Sequence, residues 1–282
     1  MALMLGGKEN VGNPVFLNGP AGPLFAIYHP PAAGTSTRGA LIYVPPFAEE
    51  MNRSRRMAAL QARALASRST AVLLLDLFGT GDSGGEFRDG RLSIWLGDIL
   101  AAADWLKSKG HMTIGLWGLR FGALLAVAAA AREPGQFQNL ILWQPVIDGK
   151  TMMTQFLRIG VAASMGEEGD GKSTEALRAE LAGGRPVEIA GYELTPELAD
   201  ALSATRMEEA GASCRVLWLE VAEEAGDQLL PASQRVIEKW RQSGARVAAQ
   251  AVTGPPFWTT QDTTVAPALI DATTDLFEFN GP

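Results

Sequence analysis

Short apolar runs alternate along the chain with longer segments in which apolar residues recur every three or four positions. The continuous runs predict buried strands of a parallel sheet, at residues 39–44, 70–76, 112–118, 139–146, 215–221 and 246–252. The periodic segments predict helices, at residues 52–68, 94–107, 124–131, 231–242 and 267–277. Strands that alternate with helices in this way predict an α/β protein with a doubly wound, mostly parallel sheet.

Two segments depart from this alternation. Residues 14–19 and 23–29 are short strand-like runs separated by glycine and proline, which predicts an N-terminal antiparallel hairpin. Between residues 149 and 206 the alternation stops, and we expect a helical cap insertion over the carboxyl ends of the strands. The predicted organisation is a core formed by residues 1–148 and 207–282 with a cap formed by residues 149–206.

A tight turn joins the predicted strand at residues 112–118 to the helix that follows it. The residues of this turn are Gly118, Leu119, Arg120, Phe121 and Gly122. Small residues two positions before and after a central residue are typical of the nucleophile elbow of α/β-hydrolases, G-x-S-x-G. Arg120 occupies the central position, where that turn carries serine, cysteine or aspartate. A guanidinium stays protonated at any working pH and has no lone pair with which to attack a carbonyl.

Further segments resemble one family. Residues 76–84 resemble the D-x-x-G-x-G-x-S turn of α/β-hydrolases. Three segments are together similar to the exosortase A system-associated hydrolase 2 group, namely residues 45–57, the elbow and residues 143–149. The resemblance spans nearly the whole chain and implies an α/β-hydrolase fold. It also implies a cytoplasmic protein encoded among genes for exopolysaccharide export and protein sorting.

The positions of a catalytic triad lack most of the residues that a serine hydrolase needs. Such an enzyme requires a histidine base after the last strand and a carboxylate that orients it. Phe257 and Trp258 lie where relatives have the histidine, and the chain's two histidines belong to the hairpin and to the segment before the elbow strand. Asp227 has the sequence context of the acid, and Asp148 is the alternative. We therefore expect a degenerate triad.

A cation at the elbow needs a negative partner, because the amino end of a helix is itself positive. One hypothesis is an internal ion pair of Arg120 with Glu49, Glu50 or one of the two candidate aspartates. The other hypothesis is an anionic ligand held by the guanidinium and by free backbone N–H groups. The residues expected to line this binding site are Phe47, Glu49, Glu50, Leu119, Phe121, Met152, Phe156, Phe257 and Trp258.

Two functions are compatible with these residues. The first is a binding or accessory protein on a hydrolase scaffold, which recognises a small anionic or acyl ligand or another protein of the export and sorting system. The alternative is a hydrolase or acyltransferase of atypical mechanism, acting on an ester, thioester or related acyl substrate. In that case one of the carboxylates Glu49, Glu50, Asp148 or Asp227 would activate water.

Composition argues against several other classes of function. A net charge of -7 argues against nucleic-acid and anionic-membrane binding, which need a basic surface. The longest apolar run, residues 123–131, is too short to span a membrane. A single cysteine, Cys214, rules out an internal disulfide and favours the reducing cytoplasm. Because no metal-ligand or nucleotide-binding motif occurs, we expect neither a metal nor another cofactor.

Overall fold

The computed structural model describes residues 12–34, 37, 39–164, 173–224, 226, 228–260 and 262–279. The strands in this part of the chain are β1 (Asn13–Asn18), β2 (Pro23–His29), β3 (Gly39–Val44), β4 (Thr70–Leu75), β5 (Ile114–Leu119), β6 (Asn139–Trp143), β7 (Val187–Ile189), β8 (Tyr192–Leu194), β9 (Arg215–Ala222) and β10 (Val247–Thr253). The α-helices are α1 (Glu49–Ser67), α2 (Leu92–Ser108), α3 (Phe121–Arg132), α4 (Gly149–Ser164), α5 (Thr174–Ala182), α6 (Pro196–Ala204), α7 (Met207–Ala210), α8 (Pro231–Gln242) and α9 (Pro267–Leu276).

Eight of the described strands form one sheet, in the spatial order β1-β2-β4-β3-β5-β6-β9-β10. The strand β1 pairs antiparallel with β2, and β2 pairs antiparallel with β4. The other pairs in this sheet are parallel. The predicted mostly parallel sheet with an N-terminal antiparallel hairpin is therefore confirmed.

Helices cover both faces of the parallel part of the sheet. One core cluster packs the sheet against α2, α3 and α8, and a second packs the opposite face against α1 and α9. Every residue of β3, β5 and β6 is consequently buried. Strands that are buried on both faces need no polar alternation, which explains the continuous apolar runs in the sequence.

Between β6 and β9 the chain leaves the sheet and forms a helical insertion. Its first helix, α4, begins where Asp148 Oδ1 accepts the N–H of Thr151 at 2.7 Å. The helix α6 begins at Pro196, whose fixed φ suits a first helical position, and Thr195 caps it. The helix α4 packs against α6 and against β7 of the small β7–β8 hairpin. The helical insertion predicted in this fold is confirmed, whereas the bounds of a separate cap unit stay a prediction.

Two of the departures from the predicted bounds lie near the carboxyl end of the sheet and bear on the site. The strand β6 ends at Trp143, earlier than predicted, because Gln144 adopts a left-handed φ of 39° that breaks the ladder. The helix α1 begins at Glu49 rather than at Asn52, directly after Ala48, which has a φ of 51°. The chain thus turns sharply at the strand ends, and these turns shape the candidate site.

A buried carboxyl group in α2 holds the loop that follows β4. Asp98 is 0% exposed, and its Oδ2 accepts the N–H of Phe78 at 2.9 Å. Its Oδ1 has no hydrogen-bond partner among the described residues. Burial raises the pKa of Asp98 to about 7, although the hydrogen bond from Phe78 lowers it. The burial of this residue was not predicted, because an aspartate inside an amphipathic helix normally faces water.

We expect the free energy of unfolding to fall between pH 5 and pH 8 by about 2–4 kcal/mol on account of Asp98. Its pKa is higher in the folded than in the unfolded chain, so its stabilising protonated form is lost as the pH rises through about 7. The Asp98→Asn variant keeps an oxygen for the Phe78 N–H and should lose this pH dependence in urea unfolding. The exposed Asp104→Asn variant of the same helix is the control. Equal pH dependence in wild type and Asp98→Asn would contradict this assignment.

Candidate functional site

Arg120 lies on a strained turn between β5 and α3. Its φ of 55° and ψ of -120° are unusual for a residue with a side chain, and such a conformation costs about 1–3 kcal/mol unless neighbouring contacts enforce it. Here the Arg120 N–H donates to Trp143 O at 2.9 Å, and the Arg120 carbonyl accepts the Val146 N–H at 3.1 Å. These bonds to the end of β6 and the segment after it fix the turn.

The two glycines of the turn are required by close backbone packing. A Cβ on Gly118 would lie 2.4 Å from Ala123 Cα, and one on Gly122 would lie 2.2 Å from Val44 O. Real Cβ atoms do not approach other atoms so closely, so a side chain at either position would displace α3 from the sheet. The geometry is therefore that of a nucleophile elbow, with an arginine at its apex.

The Arg120 guanidinium pairs with a carboxylate from the start of α1. Its Nε lies 3.2 Å from Glu50 Oε1, and the two side chains are 17% and 26% exposed. Its Nη2 donates to Gln155 Oε1 at a long 3.5 Å, and its Cζ lies 5.5 Å from the Trp258 ring centre. The internal ion pair considered from the sequence is thus present with Glu50, and the outer part of the guanidinium borders a cavity.

Burial and charge act in opposite directions on Glu50. Burial raises the pKa of its carboxyl group, and the nearby charge and hydrogen bond of Arg120 lower it, with a smaller contribution from Arg53. The net direction is upward because desolvation is the larger effect. The contact with Arg120 is therefore the main interaction that favours the ionised form of Glu50.

The cavity beside Arg120 has a volume of about 340 Å³. Six of the residues predicted to line the site do so, namely Phe47, Glu49, Glu50, Met152, Phe156 and Trp258. The sequence analysis missed several others, which are Ala48, Arg53, Gln155, Ile159, Ala190 and Thr259. Gln155 and Ile159 could have been found from their spacing, because they lie on the face of α4 that carries Met152 and Phe156.

Three residues predicted at the site lie behind the cavity wall. Leu119 and Phe121 are each 1% exposed, and Phe257 is 0% exposed. The Phe121 ring packs against Phe47 at 5.8 Å between centroids, and the Phe257 ring packs against Trp258 at 5.0 Å. These residues support the wall from the core and do not face the cavity.

The segment after β10, where we expected the histidine of a hydrolase to lie, contains an aromatic pair. Phe257 fills space against Trp143, with ring centres 6.3 Å apart, and Trp258 forms part of the cavity wall. His111 precedes β5, whereas Arg120 follows it, so the two residues lie at opposite ends of this strand. His29 ends β2, which lies inside the sheet between β1 and β4.

Of the two candidate acids of the triad, Asp148 and Asp227, the structure describes only Asp148. Asp148 accepts the Thr151 N–H through Oδ1 at the start of α4, and its Oδ2 pairs at 3.0 Å with Nε of Arg206, the residue before α7. Asp227 lies outside the described residues. A buried carboxylate that the sequence analysis missed, Glu220 of β9, accepts the N–H of Leu230 at 2.7 Å and fixes the start of α8.

Two helices begin at the cavity and make it favourable for a negative charge. Ala48 and Arg120 are the residues that precede α1 and α3, and both border the cavity. The first N–H groups of a helix have no acceptor within the helix and carry partial positive charge. Glu49 and Glu50 in the first turn of α1 offset part of this field. An anion of suitable size can therefore meet both a guanidinium and helix N-termini here.

No cluster of side chains in the described residues has the composition of a metal site. The described helices also include none that is long and apolar enough to cross a bilayer.

We expect Arg120→Met to lower the free energy of unfolding by about 1–3 kcal/mol at pH 8, because it leaves Glu50 desolvated and unpaired. Methionine meets the same backbone strain as arginine, so the comparison isolates the charge. The loss should be smaller at pH 5, where Glu50 is protonated more readily. Urea unfolding of Arg120→Met, Glu50→Gln and the double variant measures the coupling, with Arg132→Met at the other end of α3 as the control. Equal losses at both pH values and additive single effects would disprove the coupling.

Comparisons with known proteins place this chain in a family. A family model described as serine aminopeptidase S33, of the Hydrolase_4 type, matches residues 35–181, just over half of the chain. A comparison with curated proteins finds no match.

Solved structures agree with the fold. Est1E from Butyrivibrio proteoclasticus, solved with bound ferulic acid, has a TM-score of 0.68 and 19% identity, over 93% of this chain and 97% of that one. The α/β-hydrolase GrgF from Penicillium sp. sh18 has a TM-score of 0.63 and 19% identity, over 94% and 96% of the two chains. A lidless serine hydrolase from Xanthomonas campestris has a TM-score of 0.52 and 16% identity, over 95% and 94%. The chain has the α/β-hydrolase fold and belongs to the Hydrolase_4, serine aminopeptidase S33, family.

Proposed function

We propose that this protein is a ligand-binding member of its family, and that its pocket takes a small carboxylate with an apolar body. The observation that carries the proposal is the position of the Arg120 guanidinium, at the apex of the elbow and beside a cavity of about 340 Å³. The apex is where a related hydrolase presents its attacking group, so a ligand that reaches it meets a fixed cation instead.

The Arg120 guanidinium has further N–H donors that a ligand can use. It carries five N–H groups in a planar fork. Among the described residues, Glu50 accepts from Nε and Gln155 accepts from Nη2 at a long distance. A ligand carboxylate can take the remaining donors in a paired geometry, which is the strong form of this contact. Gln155 then becomes an adaptable side chain at the edge of the ligand.

The walls of the pocket favour an apolar or aromatic body on that carboxylate. Most of the uncharged lining is supplied by large apolar side chains, those of Phe47, Met152, Phe156, Ile159 and Trp258. Pockets of this kind combine an apolar wall with few polar groups that fix orientation. The Est1E structure contains ferulic acid, a carboxylic acid with an aromatic body. That molecule is therefore a reasonable first probe for this chain.

A second candidate function is hydrolysis or acyl transfer by an atypical mechanism. Glu50 favours this candidate, because a carboxyl group whose pKa is raised by burial is better suited to proton transfer than an ordinary one. The Arg120 guanidinium would then stabilise developing negative charge on the substrate. We rank this candidate second, because a serine or cysteine nucleophile is missing from the elbow and an imidazole from the segment after β10.

We further propose the cellular setting that the sequence resemblance implies. Residues 149–206 would act as a cap that covers the ligand, because α4 supplies Met152, Gln155, Phe156 and Ile159 to the pocket wall. The protein would work in the cytoplasm as an accessory factor of an exosortase and exopolysaccharide system. Another protein of that system would be its partner.

Ferulate should raise the melting temperature of the wild-type protein, and its neutral methyl ester should do so much less. We expect Arg120→Met to weaken ferulate binding at least tenfold, which corresponds to about 1.4 kcal/mol. Arg120→Lys should retain part of the affinity, since it keeps the charge but loses the planar fork. Calorimetric titration of these variants, with Arg132→Met as the control, measures the effect. Unchanged affinity in Arg120→Met would show that the arginine is not the anchor.

Activity measurements distinguish the second candidate. The binding function predicts no labelling by fluorophosphonates and background rates on panels of esters and thioesters. Turnover that disappears in Glu50→Gln but persists in Glu49→Gln would overturn the binding function and establish the atypical enzyme.

A further inference from the structure

A second cavity lies on the opposite side of the start of α1 from the elbow pocket. Its volume is about 510 Å³, and it shares no lining residue with the pocket beside Arg120. Its floor consists of Phe25 and Ile27 from β2 and Leu74 from β4, and Leu60 of α1 forms one wall. We call this cavity the α1 cleft.

Among the described elements, none covers the α1 cleft. The antiparallel strands β1 and β2 are joined by a tight turn, so no crossover helix is available to cover them. On one face, α2 buries Leu17 and Leu24. On the other face, Phe16 is 66% exposed, and its ring packs against the half-buried Phe25. Apolar surface therefore continues from the sheet edge into the α1 cleft.

Arginines of α1 surround this apolar floor. Arg55 pairs with Asp76 at 3.0 Å, which neutralises the only acidic group among the described residues that line the cleft. Arg56 and Arg63 also line the cleft and make no ion pair or hydrogen bond with any described residue. They lie two helical turns apart, about 10 Å along the axis, with the small Ala59 between them. Three arginines and one aspartate give the cleft a charge of +2, in a chain whose net charge is -7.

We propose that the α1 cleft binds a monomeric anionic amphiphile, an alkyl carboxylate whose chain lies on Phe25, Ile27 and Leu74. Arg56 and Arg63 bind the carboxylate, because unpaired guanidinium groups hold carboxylates in paired hydrogen bonds. The apolar floor binds the chain, and its burial supplies most of the affinity. A volume of about 510 Å³ lies within the usual range for small-molecule sites.

Two other occupants fit the surface less well. An anionic membrane would be repelled by the net charge of -7. A folded protein partner needs a contact patch of about 800 Å² on each side, whereas this site is a concave cleft. An apolar floor with a cationic rim is therefore complementary to a single amphiphilic molecule that has an apolar chain and an anionic head.

The test uses dodecanoate below its micellar concentration, with the protein labelled at isoleucine and leucine methyl groups. Binding in the α1 cleft should shift the Ile27, Leu60 and Leu74 signals in a saturable way. The Arg56→Gln/Arg63→Gln double variant should bind at least tenfold more weakly. The Arg132→Gln/Arg235→Gln double variant changes the net charge equally at exposed positions elsewhere and should bind like wild type.

Three results would overturn the proposal. Shifts confined to Ile159 would place dodecanoate in the pocket beside Arg120. Equal binding of dodecyltrimethylammonium would show that the arginines do not select the head group. Co-sedimentation with phosphatidylglycerol vesicles, without binding of monomeric dodecanoate, would assign the surface to a membrane. Dodecyl phosphate, compared with dodecanoate, tells whether a carboxylate or a phosphate head is preferred.

Discussion

The ion pair between Arg120 and Glu50 is the interaction on which the site depends. It joins the starts of two helices that pack on opposite faces of the sheet, α3 on one side and α1 on the other. A cation at the start of α3 opposes the helix dipole, whereas an acid in the first turn of α1 agrees with it. Glu50 therefore compensates both for the misplaced charge and for the desolvation of the guanidinium. Its own ionisation depends in turn on Arg120, because burial raises the pKa of the Glu50 carboxyl group and Arg120 lowers it.

The elbow geometry does not depend on which side chain stands at its apex. The turn is enforced by backbone contacts of Gly118 and Gly122 that do not involve the side chain at the apex. Any residue placed there is held in a strained conformation and presented at the carboxyl end of the sheet. With serine the turn presents a nucleophile, and with arginine it presents a fixed cation. The same backbone therefore serves recognition as readily as reaction, and the side chains around the apex decide between the two.

Sequence reasoning reached the fold and the elbow because both are encoded locally. The continuous apolar runs arise because the central strands are buried on both faces of the sheet. The spacing of Gly118 and Gly122 arises because the backbone passes close to other backbone atoms at both positions. The pocket wall was less accessible, since Ala190 and Thr259 reach it only through tertiary packing. Leu119, Phe121 and Phe257 were expected at the site because they neighbour its key positions, yet each points into the core. Adjacency in sequence does not establish a shared direction, because neighbouring side chains on a strand or a helix point to different sides.

The distribution of arginines on α1 connects the pocket with the α1 cleft. Arg53 lines the pocket beside Arg120, whereas Arg56 and Arg63 line the cleft on another side of the same helix. Positions three and ten residues apart along an α-helix project in different directions, so one helix can supply cations to two separate cavities. Arg53 is held by Glu49 and by the Thr259 carbonyl, and Arg55 is held by Asp76. Arg56 and Arg63 have no such partners among the described residues. The chain is acidic and has carboxylates that could pair with Arg56 and Arg63. That these two arginines are unpaired among the described residues supports the proposal that the α1 cleft binds an external anion.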